Sequence, residues 1–227
     1  MTLGRPRLHL RATTSTNDHA RELAAAGAPH GTIVTAALQT AGRGRQGRTW
    51  TAPPGSALLL SIVLRSFDGL LPLRAGLAVA DLAGAAARLK WPNDVLIDGR
   101  KVAGILAEAR PQEGWTVLGI GLNVALDVRD LPPELRDRAA TLGRGRNELD
   151  DVLKELLARL AAWLAAPADE VLDALRDRDA LLGRPVAWAG GEGRGAGIDD
   201  AGRLLVRRDD GSQAVLDAGE VHLTYDA

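Results

Sequence analysis

Apolar positions along the chain fall into short β-type runs and longer helical stretches, and their order predicts a mixed α+β fold. Residues 5–12 alternate loosely as a first strand. Ser15-Thr16-Asn17-Asp18 then opens an Ala- and Leu-rich stretch ending at Gly27, with Ser15 at the N-cap and Gly27 as the stop of a helix. The β-branched run 32–36 predicts a short buried strand, and it feeds a Gly- and Arg-rich loop from Gln39 to Pro54. Residues 58–64 read as the next strand and 71–89 as a buried helix.

Three apolar strands follow at 95–97, 101–107 and 116–124, the first two joined as a hairpin through Asp98-Gly99. Residues 148–165 carry helical periodicity, and Pro167 opens a second helix over 168–182. From Gly183 the texture changes to short segments at 185–188, 195–198, 203–206, 213–216 and 221–223, which predict a small all-β barrel. The cluster Gly190-Gly191-Glu192-Gly193-Arg194-Gly195 is read as a hairpin loop whose glycines supply positive φ. No internal repeat is visible.

Composition narrows this picture without redirecting it. With 46% hydrophobic and 25% charged residues in 227, the chain has the makings of a sizeable core rather than a disordered or fibrous one. Its 28 basic and 29 acidic residues leave no global field to draw in a polyanion, so phosphate chemistry must come from local clusters. The absence of cysteine excludes disulfides, thiolate metal sites and a cysteine nucleophile. The N-terminus lacks the apolar core of a signal peptide, and no later apolar run approaches the roughly 18 residues of a membrane span. A cytoplasmic protein is expected.

Three segments concentrate chemistry. Residues 42–50 satisfy G-x-G-x-x-G, but they run into Thr51-Ala52-Pro53-Pro54-Gly55 and a strand. A dinucleotide fingerprint needs a helix there, so that reading is set aside. Arg43, Arg45 and Arg48, with no acid between Gln39 and Pro54, instead suit an anion-binding loop. Standing alone it could equally be a solvated arginine loop. Lys90-Trp91-Pro92-Asn93-Asp94 gathers a cation, an aromatic and polar groups at a strand start, where the Trp could simply be core. Lys101 sits at the mouth of an otherwise apolar strand, where a hairpin lysine is the plain alternative.

Taken together, these segments resemble the biotin protein ligases in which a catalytic domain is followed by a small SH3-like domain. The matching pieces are Ser15-Thr16-Asn17, residues 39–45, Gly47-Arg48 with Trp50, residues 90–94, residues 101–106 and Gly119-Ile120-Gly121-Leu122-Asn123-Val124, in the family's order. Residues 202–206 and 219–221 resemble its terminal barrel. The resemblance implies a mixed-sheet catalytic domain of the biotin/lipoate ligase type over 1–182 and an SH3-like β-barrel over 183–227. It implies an enzyme that activates biotin with ATP to biotinyl-5′-AMP and transfers it to a lysine of a biotin carboxyl carrier protein.

By the same resemblance, Ser15, Thr16, Asn17, Gln39, Gly42, Arg43, Lys101 and Gly104 would bind biotin. Arg45, Arg48, Trp50, Lys90, Asn93 and Asn123 would bind the nucleotide, and Lys101, Arg45 and Asp94 would act in catalysis. Mg2+ is expected with ATP, its protein ligand unassigned, and the protein is expected as a monomer or homodimer. Gln46 stands where bifunctional members of the family have arginine. The nearest rival is a lipoate ligase or octanoyl transferase, against which the arginine loop and Gln39 with Ser15 and Thr16 speak. A DNA-binding repressor is disfavoured because the first motif begins at Ser15 and the net charge is slightly negative. A noncatalytic nucleotide-binding module is disfavoured by the presence of both Arg45 and Lys101.

Overall fold

A computed structural model describes residues 3–66, 68–217 and 219–224. In chain order the elements are β1 (Arg7–Leu10), α1 (Thr16–Ala25), β2 (Ile33–Ala36), β3 (Ala57–Leu64), α2 (Leu71–Ala83), β4 (Ala87–Lys90), β5 (Asp94–Ile97), β6 (Arg100–Arg110), β7 (Trp115–Asn123), α3 (Pro133–Arg136), α4 (Leu149–Ala165) and α5 (Ala168–Asp177). Five strands follow: β8 (Pro185–Trp188), β9 (Gly191–Ile198), β10 (Leu204–Arg207), β11 (Gln213–Leu216) and β12 (His222–Leu223). The first seven strands make one sheet in the order β1-β2-β3-β7-β6-β5-β4. Only the β1–β2 pairing is parallel, so the sheet is mixed, as expected.

Side-chain alternation separates the two faces of that sheet. Leu58, Leu60, Ile62 and Leu64 of β3 and Leu118, Ile120 and Leu122 of β7 join the main core with α2, α4 and α5. The intervening positions face α1 and the loop 39–54. There Val63 and Val117 pack on Ala20 and Ala24 of α1, but Ser61, Gly119 and Gly121 leave the face hollow. A Cβ on Gly121 would lie 2.5 Å from the Trp50 ring, and one on Gly119 would collide with Asn17, so both glycines admit a neighbour rather than a turn.

Three boundaries and one cap differ from the sequence expectation. The helix expected over 71–89 ends at Ala83, because Gly84 takes a φ of 96° and Ala87–Lys90 leave to form the edge strand β4. The helix expected to reach 182 stops at Asp177, after which the chain laces onto that edge. Leu89 N donates to Arg178 O at 2.8 Å and Ala180 N donates to Leu89 O at 2.9 Å. The strand expected over 195–198 begins at Gly191, so the glycine cluster is not a loop but most of β9. Cβ atoms at Gly193 and Gly195 would sit 2.4 Å from Arg207 O and 2.1 Å from Leu181 O, a close backbone approach that only glycine allows. Ser15 holds the N-cap position of α1 with extended backbone, yet its side chain makes no capping bond. The Asp98-Gly99 hairpin is as expected, both residues having positive φ.

The C-terminal strands form a second, antiparallel sheet in the order β11-β10-β9-β8-β12. Its inward residues Val186, Ile198, Leu204, Val206 and Val221 belong to the same apolar cluster as α2, α4 and the main sheet. Trp91, only 3% exposed, spans the junction by donating its indole N–H to Gly202 O at 3.0 Å. The small sheet is thereby held against the turn that carries Asn93 and Asp94.

Candidate active site

On the hollow face of the main sheet lies a cavity of about 710 Å³. The loop 39–54 covers one side, the segment 131–139 another, and β12 of the small sheet contributes His222 and Leu223. Every site residue named from the sequence except Gly42 lines it. Gly42 lies behind the wall, where a Cβ would come within 2.5 Å of Trp50 O and 2.8 Å of Gln39 Nε2, so its smallness lets the loop pack.

One end is neutral overall, largely buried and cross-linked by hydrogen bonds. Gln39 Oε1 accepts from Thr16 N at 2.7 Å and from Thr16 Oγ1 at 2.9 Å. The Ser61 hydroxyl lies 2.7 Å from Thr16 Oγ1 and 2.5 Å from Asn17 Oδ1. Asn17 Nδ2 in turn donates to Glu108 Oε2 at 2.6 Å. Glu108 Oε1 accepts from Arg21 at 2.8 Å, Arg43 donates to Asp18 Oδ1 at 2.6 Å, and Arg21 also pairs with Asp18. Two carboxylates therefore fix the start of the arginine loop to α1 and β6. The start of α1 presents polar groups to the cavity at one set of positions because Ser61, a lone polar residue in the apolar strand β3, holds them from below. Ser61, Glu108 and Asp18 were not named from the sequence. The hydroxyl in an otherwise apolar run of eight was the one local signal for Ser61.

The other end is cationic. Lys101 Nζ and Asp94 Oδ1 form an ion pair at 2.7 Å, and Lys90 Nζ lies 4.0 Å from Asp94 Oδ2. Arg45 donates to Asn93 Oδ1 at 3.4 Å and to Gly219 O at 3.2 Å, while Arg48 pairs with Glu220. Burial holds Lys90 below the ordinary lysine range, opposed by Asp94 and reinforced by Lys101, Arg48 and Arg138. Burial likewise lowers Arg45, which Asp94 partly restores. Between the two ends the Trp50 ring rests on Gly104 and Gly121, with Lys101 Nζ 5.6 Å from its centroid. Its buried indole N–H has no partner among the described residues, a donor left for a ligand.

Asn123, 5% exposed, ends β7. Its Nδ2 donates to Ala140 O at 2.9 Å, which leaves the carboxamide oxygen as the acceptor it offers the cavity. The loop itself is not a dinucleotide turn. Arg43 and Thr49 bridge as antiparallel partners, Gly44 N donates to Arg48 O at 2.7 Å, and Gln46 turns the chain at a φ of 53°. Among the described residues no cluster of three or more His, Cys, Asp or Glu could hold a metal ion. The carboxylates lining the cavity are Asp94, engaged by Lys101, and Asp137, so the donor set does not form a cation cage of its own. No helix among the described residues is long and apolar enough to cross a membrane.

The comparisons with known proteins agree with this geometry. Residues 10–125 match the model of the biotin/lipoate A/B protein ligase family, and residues 181–223 match the biotin protein ligase C-terminal domain. The chain is 39% identical to the biotin–[acetyl-CoA-carboxylase] ligase of Mycobacterium tuberculosis, over 92% of this chain and 85% of that one. It is 37% identical to the Paracoccus denitrificans ligase of the same name, over 93% and 98%. A match to the bifunctional ligase/repressor BirA of Bacillus subtilis is 41% identical but covers 61% of this chain, and 46% of the length of that relative. Among solved structures, the biotin protein ligase of Aquifex aeolicus in complex with biotin and ATP superposes with a TM-score of 0.81 at 29% identity, over 97% of this chain and 100% of that one.

Proposed function

The chain belongs to the biotin protein ligase family, and from that premise we propose that it adenylates biotin with ATP and transfers it to a lysine of a biotin carboxyl carrier domain. The observation that carries this reading is the polarity of one cavity, neutral and hydrogen-bonding at one end and cationic at the other. Biotin has a ureido head with N–H donors and a carbonyl, joined by an apolar tail to a carboxylate. Ser15, Thr16, Asn17 and Gln39, with the backbone of Arg43, receive the head, Gly42 lets the loop pack behind them, and Gly104, against Lys101 and the Trp50 ring, makes room along the tail. An acid lacking the ring would strip water from these groups without bonding to the donors and lone pairs that their mutual hydrogen bonds leave spare, which separates this reading from a lipoate or octanoyl enzyme.

In the first step a carboxylate oxygen of biotin bonds to the α-phosphorus of ATP, and the bond to the bridging oxygen breaks as pyrophosphate departs with its electron pair. Arg45, Arg48 and Lys101 offset the repulsion between the two anions and stabilise the charge that develops in transfer. Lys90 and Asn93 extend that wall, Trp50 stacks on the ligand, and the Asn123 oxygen accepts from the exocyclic amine of adenine. Mg2+ enters as part of the Mg-ATP substrate, held by phosphate oxygens and water. In the second step the carrier amine attacks the acyl carbon and AMP leaves. Asp94, beside Lys101, orients that amine and accepts its proton. Residues 1–182 perform both steps, and residues 183–227 support them from the small sheet.

The test is to incubate the purified chain with biotin, Mg-ATP and a carrier domain, following pyrophosphate release and carrier mass. Release together with a biotin-sized mass gain on the carrier is expected. Modification by lipoate or octanoate in preference to biotin from a mixed pool would overturn the reading.

A further inference from the structure

Six cations line the cavity, Arg43, Arg45, Arg48, Lys90, Lys101 and Arg138, against the two carboxylates Asp94 and Asp137. An excess of four positive charges suits a triphosphate. Yet the cations at the loop and at β6 are already engaged: Arg43 with Asp18, Arg48 with Glu220 and Lys101 with Asp94. Arg138 differs. Its guanidinium has no ion pair or hydrogen bond among the described residues, while its backbone is firmly placed. Lys101 N donates to Arg138 O at 2.7 Å, and Ala140 N donates to Lys101 O at 2.8 Å, a parallel bridge that hangs this segment on the strand position of Lys101. A fixed backbone carrying an unengaged charge at the mouth of a cationic cavity is what an incoming anion requires.

His222 reaches the same space from the small sheet. Its strand β12 is paired to β8 through Ala187, and its Nε2 lies 3.4 Å from Glu220 Oε2. The charged groups around it are Glu220 on its own segment, Lys90 of β4, Arg48 of the loop and Arg138. Burial, and then Lys90, Arg48 and Arg138, lower its pKa from the usual histidine value. A polyanion among these cations would reverse their field and draw a proton onto the ring.

We propose that Arg138 and His222 complete a pyrophosphate-binding flank of the cavity, holding the β- and γ-phosphates of the nucleotide, and pyrophosphate on its release, beside Lys90. This rests on the ligase reading above and gives the small sheet a ligand-binding role, with one of its own side chains on the leaving group.

The experiment uses the full chain with Mg-pyrophosphate as the probe, by direct calorimetry and as an inhibitor against Mg-ATP, in wild type, Arg138→Ala, Arg138→Lys and His222→Asn. Arg138→Ala should weaken both pyrophosphate and ATP about ten-fold, with biotin affinity changed by less than about two-fold and part of the loss restored by Arg138→Lys. Comparing wild type with His222→Asn at each pH cancels the titration of pyrophosphate itself. The advantage of wild type should grow as pH falls from about 8 to about 6, with proton uptake on binding that His222→Asn lacks. Pyrophosphate affinity unchanged in Arg138→Ala, or a wild-type advantage flat in pH, would overturn the flank. A wild type that binds Mg-pyrophosphate as described but adenylates no biotin would count against the ligase reading and leave the flank standing.

Discussion

The two ends of the cavity are built on opposite principles. At the neutral end, the one proposed for the ureido head, Thr16, Asn17 and Ser61 are at most 4% exposed, and each polar group already answers another across α1, β3, Gln39 and Glu108. At the phosphate end the side chains of Arg48 and Lys101 are 54% and 35% exposed, and their partners are carboxylates, Glu220 and Asp94, that occupy the place an anion would take. Recognition of a neutral head needs donors and acceptors fixed before the ligand arrives, because an unpaired buried group costs about 1–3 kcal/mol. Recognition of a polyanion needs charge that stays hydrated and compensated until the ligand replaces the compensation.

The largest expected effect falls on the charged end. On the proposed reading, Lys101→Ala removes a cation from the transferring phosphoryl group and should lower the adenylation rate about 10²–10³-fold, with a smaller loss of biotin affinity through its carboxylate; pre-steady-state pyrophosphate release reads this. At the neutral end Gln39→Ala strips the acceptor from both the Thr16 amide and its hydroxyl. Biotin affinity by calorimetry should drop about ten- to hundred-fold, with the KM for ATP nearly constant. A smaller loss is expected for Ser61→Ala, which touches no ligand but holds Thr16 and Asn17 in place. The KM for biotin should rise by about half an order of magnitude while kcat stays within about two-fold, a split that general destabilisation would not produce.

Sequence and structure agree best where a function is written in contiguous residues. The loop from Gln39 to Trp50, the 90–94 turn and the 119–124 strand were legible because each carries several chemically distinctive side chains in a fixed string. The resemblance to a known family joined them into one site. What stayed hidden were contacts between distant elements: Glu108 meets Asn17 across 91 positions, and neither residue's neighbours announce it. Arg138 and His222 sit in segments with no motif. Element ends were obscured where composition was uniform. The apolar, Ala-rich run through residues 71–89 holds two glycines, Gly76 inside helix α2 and Gly84 at its end, and composition alone does not mark which of them stops the helix, so α2 and strand β4 read as a single helix. Residues 190–195 failed in the opposite direction, since glycine was read as a turn former where β9 needs it for close approach to Arg207 and Leu181.

Ionic strength offers the mildest way to separate the two ends, and it alters no residue. Raising salt from about 0.1 M to about 1 M shortens the screening length from about 10 Å to about 3 Å, which weakens attraction between a mobile polyanion and half-exposed cations such as Arg48 and Lys101. The effect is limited on two sides. Lys90 and Arg45 are partly buried and screened less, and the Arg48–Glu220 and Lys101–Asp94 pairs that ATP must displace are loosened by the same salt. The KM for ATP should therefore rise only about two- to three-fold over that range. The ureido end has no net charge to screen at Thr16, Gln39 and Ser61, and its hydrogen bonds are buried, so the part of biotin affinity that depends on the head should hold steady. Biotinol, which keeps the head and replaces the carboxylate with a hydroxyl, isolates that part. Its affinity should be flat in salt while that of biotin declines slightly through its carboxylate. A biotinol affinity that falls in parallel with that of ATP would mean that the charged groups around Asp18, Arg43 and Glu108 govern the ureido end after all.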